Sequence, residues 1–99
     1  MEEKELSETE KKIYLILSLI FEKIMDAEPS YELGFYQWTR MRPEILQMIG
    51  LDDELWTKLS DYGDQNESLQ ERLITLREKY ENYSRDLVLN KLSSILSEI

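Results

Sequence analysis

The chain has 99 residues, with 21 Asp and Glu against 12 Lys and Arg, a net charge of −9, and neither His nor Cys. That length bounds it at one domain, residues 1–99, with a modest core. The absence of Cys excludes a disulfide frame, and the absence of His removes the commonest general base and metal ligand. The acidic balance argues against a dominant interface with nucleic acid or an anionic membrane, because both select clustered cations.

Residues 1–7 are dominated by charge and read as a frayed end. Ser7 and Glu10 then fit a capping box, in which each residue satisfies the other's backbone amide. The pattern predicts a helix over 8–27. Its inner stripe is Ile13, Ile16, Leu17, Ile20 and Ile24, yet Tyr14, Leu15, Leu19, Phe21 and Met25 are apolar as well. A helix apolar most of the way round is buried most of the way round. One layer of a small domain covers too little of it, so a homodimer is expected, with Ile13, Leu17, Ile20 and Ile24 at its interface. The alternative is a helix at the centre of a monomeric bundle. Lys11-Lys12 before the apolar run 13–21 mimics a secretory signal. But five Glu precede it, Glu22 and Lys23 end it, and no small-residue cleavage site follows. The run is too short to span a bilayer, so no membrane partner is expected and a cytoplasmic setting is the default.

Glu28-Pro29-Ser30 ends the first helix, since Pro29 biases Glu28 away from helical backbone. A second helix is expected over 30–41. Tyr31, Phe35 and Trp38 are spaced four and three and share a face, with Arg40 and Arg42 beside them. Aromatic rings next to arginine are the residue types of interface hot spots. Tyr31, Phe35, Trp38, Arg40 and Arg42 are therefore the expected partner-binding site.

Pro43 suits the first turn of a new helix, over 43–49, and Gly50 suits a left-handed ending. Asp52 is the expected cap of a fourth helix over 52–62, which Gly63 closes. Residues 43–59 resemble a helix-turn-helix: Ile45, Ile49, Leu51, Trp56 and Leu59 fall where that motif is apolar, around Gly50. Leu46 stands where the motif is usually small. The would-be recognition helix begins Asp52-Asp53-Glu54 and has Lys58 as its one cation, a surface that repels phosphate. The resemblance implies a transcription regulator, kept as the alternative function.

The last third, 66–98, contains no Pro or Gly. Asn66 is its expected cap, and Leu69, Leu73, Leu76, Tyr80, Tyr83 and Leu87 alternate at four and three. Glu81 and Arg85 are placed to pair across one turn. An unbroken helix of this span is about 50 Å long. A compact domain of this size is only about 35 Å across. The expected overhang is apolar, so a second copy is expected to cover it, with Leu92, Ile95 and Leu96 joining the dimer interface. The alternative is a bend near Ser84 that returns the end to its own chain.

No metal or cofactor is expected. An EF-hand reading of 61–72 fails, because Asn66 holds the glycine position and Arg72 the bidentate glutamate position. There is no phosphate loop, dinucleotide fingerprint or nucleophile elbow. The expectation is an all-α bundle of four to five helices with a long C-terminal helix, completed by dimerisation. Its expected function is non-enzymatic binding of another protein, as an inhibitor or adaptor. A variant is mimicry of nucleic acid by the carboxylates of 52–64.

Overall fold

The capping signals translate directly into helix starts. In the computed structural model, which describes residues 6–99, Ser7 accepts from the Glu10 amide at 3.1 Å and Glu10 accepts from the Ser7 amide at 2.9 Å. Helix α1 runs Glu8–Ala27 from that box. Residues 1–5 of the expected frayed segment lie outside the described residues. Leu6 and Ser7 are ordered by contacts: Leu6 is buried in the core, and Ser7 is the cap.

Helix α2 runs Tyr31–Met48 from a Ser30 cap and carries Pro43 in its interior. This corrects the expectation of two helices, 30–41 and 43–49. Proline removes one backbone hydrogen bond and disfavours helical backbone at the residue before it. Two-sided packing offsets that cost. Trp38 and Ile45 are two turns apart, lie on one face, and are both buried, so a break at Pro43 would separate them. Gly50 ends the segment at φ +76°, with Leu51 donating to the Leu46 carbonyl and Gly50 to that of Gln47. That pair of hydrogen bonds satisfies the Leu46 and Gln47 carbonyls in the last turn of α2.

Helix α3 is Glu54–Gly63. It starts two residues later than expected, and Asp52 still accepts from the Glu54 amide at 2.9 Å. Gly63 belongs to the helix and does not close it. Its role is close approach: a Cβ there would lie 2.5 Å from the Tyr14 ring.

The last third is three helices, and this is the largest correction. Helix α4 is Glu67–Lys79, α5 is Arg85–Asn90 and α6 is Leu92–Glu98. Asn66 and Ser84 cap α4 and α5 as their positions predict. The break between them is held from a distance: Lys23 Nζ, on α1, donates to the carbonyls of Tyr80 at 2.8 Å and Glu81 at 3.2 Å. A cation on the final carbonyls of a helix opposes the negative end of its dipole. With the helix broken, Arg85 pairs with Asp86 and Glu28, not with Glu81. The molecule measures 44 × 26 × 24 Å, so no 50 Å helix overhangs it.

The result is an all-helical, compact bundle of six helices among the described residues. Helix α1 is its axle, and each of the other five packs on it. Ile13, Leu17, Ile20 and Ile24, expected at a dimer interface, are buried by their own chain, as are Leu92 and Ile95; Leu96 is half-buried. The premise that one copy leaves these surfaces uncovered therefore falls. Among the described residues no helix is long and apolar enough to cross a membrane.

Gly63→Ala is expected to lower stability by about 1–2 kcal/mol, because overpacking against a ring outweighs the gain in helix propensity. Gly34→Ala meets mainly the flexible tip of Met25 and should cost less. Thermal melts of the two variants check this order.

Candidate aromatic surface on helix α2

The five expected partner-binding residues separate into two groups. Tyr31 is 69% exposed and Phe35 48%, and their rings stack at 6.2 Å. Arg40 is exposed and donates to Gln37 at 3.2 Å. These three stand at the surface. Trp38 does not: it is 3% exposed, edge-on to Phe21 at 5.3 Å and to Trp56 at 5.4 Å. Arg42 is also committed. Its Nε and Nη2 donate to the two oxygens of Asp53 at 2.7 and 3.1 Å, and its guanidinium lies 5.6 Å from the Trp38 ring centre. The reason is angular. Trp38 points along the stripe of Gly34 and Ile45 towards α1, and Arg42 follows it towards α3.

Leu33 and Tyr36 complete the surface group. Seven large apolar side chains are exposed among the described residues, and four of them, Tyr31, Leu33, Phe35 and Tyr36, fall within residues 31–36. Scattered exposure is ordinary, but clustering of this kind marks contact surfaces.

Beside this cluster a groove of 270 Å³ opens between α1, α2 and α3. Phe21, Phe35, Trp38 and Trp56 line it, together with Ser18 and Ser60. Asp64 is its one charged lining residue. The Asp64 carboxylate accepts from Tyr14 Oη at 2.6 Å, and Gln70 donates to the same hydroxyl at 2.8 Å. Burial, and then the Asp64 acceptor, push the Tyr14 hydroxyl up from its ordinary value, so it stays protonated and oriented. Sequence reasoning placed Trp56 inside a helix stripe and did not connect it with Phe21 or Asp64. Phe21 comes from α1, while Trp56 lies in α3 and Asp64 at its end, and no short motif joins them.

The second hollow, of 260 Å³, lies between α4 and the end of α6. Its charges are already matched: Arg72 with Glu8 at 3.1 Å, and Lys79 with Glu98 at 3.3 Å. Tyr80 Oη also donates to Glu98 at 2.9 Å, and the two donors, Tyr80 first, hold the Glu98 carboxyl below its usual range. The would-be recognition helix fares likewise. Its cation Lys58 is held by Glu10 at 2.8 Å, and Asp53 by Arg42.

Among the described residues, no three or more Asp or Glu converge as metal ligands, and no charged side chain is buried. No protein-family model matches the chain, and no curated protein or solved structure matches it either.

Two predictions follow from these ion pairs. The bidentate Arg42–Asp53 pair is 17% and 33% exposed at its two side chains. Arg42→Lys keeps the charge but loses the planar fork, and should cost about 1 kcal/mol in denaturant titration. The Glu10 carboxyl is held below its ordinary value of 4.5 by the hydrogen bond from Lys58 and then by the Ser7 amide. A depressed folded value means that its stabilisation is complete above pH 4.5 and is lost as pH falls through the folded value. The melting temperature of Glu10→Gln should therefore fall less than that of the wild type between pH 5 and pH 3.

Proposed function

We propose that this chain is a non-enzymatic protein-binding module, of inhibitor or adaptor type, whose contact surface is the first half of α2. The single observation behind this reading is the cluster Tyr31, Leu33, Phe35 and Tyr36, left outside while the chain buries Ile and Leu on every side of α1. Tyr and Phe are enriched in binding hot spots because they bring large contact area at low entropic cost. The excess of carboxylates favours a basic partner and speeds its approach. The chemistry of this corner supports binding: it offers exposed rings and, in Asp64, a carboxylate oriented by Tyr14.

The homodimer expected from sequence remains part of this proposal. Self-association would use the outer face of α2, since Ile13, Leu17, Ile20 and Ile24 are occupied within the chain.

The test is affinity capture from the cell that makes the protein, with three baits. The double variant Tyr31→Ser, Tyr36→Ser should lose the bound protein. Ile74→Ser, which removes an equally exposed apolar group from α4, should retain it. Retention by both variants rejects α2 as the contact surface.

A further inference from the structure

Resting on that reading, we infer that the groove between α1, α2 and α3 receives an arginine side chain of the basic partner. The groove has the two features that a guanidinium selects. Its walls are aromatic, supplied by Phe21, Phe35, Trp38 and Trp56. Its one charge is the Asp64 carboxylate. One oxygen of that carboxylate is fixed by Tyr14 Oη, and among the described residues no cation pairs with it. The other grooves differ on this point. The hollow beside α6 and the cleft of Glu22, Lys23, Asp26, Arg77 and Glu81 carry their own cations, and Arg77 already pairs with Glu22.

The molecule contains a template for the complex. Arg42 sits over Trp38 and forks onto Asp53. The groove repeats these elements with the cation missing: Trp56 and Phe35 in place of the ring, and Asp64 in place of the carboxylate. A planar, weakly hydrated guanidinium gains from both partners together, whereas an ammonium gains mainly from the charge. Phe35 joins the groove to the exposed cluster by stacking on Tyr31, so a helix or strand laid on those two rings would carry its arginine past this opening.

The chain reports on its own groove, because its two tryptophans both line it. The experiment titrates the full chain with a short amphipathic peptide carrying arginines one helical turn apart. It compares the same peptide with citrulline, which keeps the shape and removes the charge. The arginine peptide should change tryptophan emission and bind about tenfold more tightly than the citrulline peptide. Asp64→Asn, which keeps an acceptor for Tyr14, should remove most of that difference, and Phe35→Ala should weaken binding of the arginine peptide. Glu78→Gln, an equal change of charge on α4, should leave it unaltered. Equal binding of the two peptides, or equal responses of Asp64→Asn and Glu78→Gln, overturns the inference. The capture experiment with Tyr31 and Tyr36 judges the α2 surface separately, so either can fail while the other stands.

Discussion

The apolar circumference of α1 is the constraint on which the rest depends. Eight of its residues are buried, and they point in every direction around the helix. Each aliphatic side chain taken from water is worth about 1.5–3 kcal/mol. Surrounding one helix from all sides requires short elements that turn, and the five remaining helices are short enough to do so. This decides the fate of the C-terminal third. Breaking a helix after Lys79 and again at Lys91 gives up a few backbone hydrogen bonds, each worth about 1 kcal/mol net. The carbonyls freed at Tyr80 and Glu81 are taken up by Lys23. In return Val88, Leu92 and Ile95 reach the core. Burial outweighs continuity.

The same arrangement explains where unclaimed surface remains. Helix α2 spends its inner stripe, Gly34, Trp38, Ile45 and Leu46, on the core. Its outer side has no further layer to meet, yet it carries rings. Elsewhere on the surface four cations are matched with acids: Lys58 with Glu10, Arg72 with Glu8, Arg77 with Glu22, and Lys79 with Glu98. Asp64, with which no cation pairs among the described residues, lines the same groove as Phe35 of α2.

Tyr14 links the two levels. Its ring fills the space that Gly63 leaves open and stacks on Trp56 at 6.1 Å, while its hydroxyl orients Asp64. One side chain of the central helix therefore sets both the approach of α3 and the direction of the charge in the groove.

The sequence by itself determined the helical class and several element starts governed by neighbours a few residues away. Ser7 with Glu10, Asn66 and Ser84 cap as their positions predict, and Gly50 turns left-handed, because these hydrogen bonds close within three to five residues. Only the tertiary structure decided that α2 runs through Pro43, that the last third folds back, and that Trp38 and Arg42 serve the core while Tyr31 and Phe35 face outward. The groove was equally hidden, since Phe21 and Phe35 come from α1 and α2 while Trp56 and Asp64 come from α3 and its end. The physical reason is range. Caps and turns are settled by local geometry, whereas the contact of Lys23 with Tyr80 spans 57 residues. A bond of that span has no local signature.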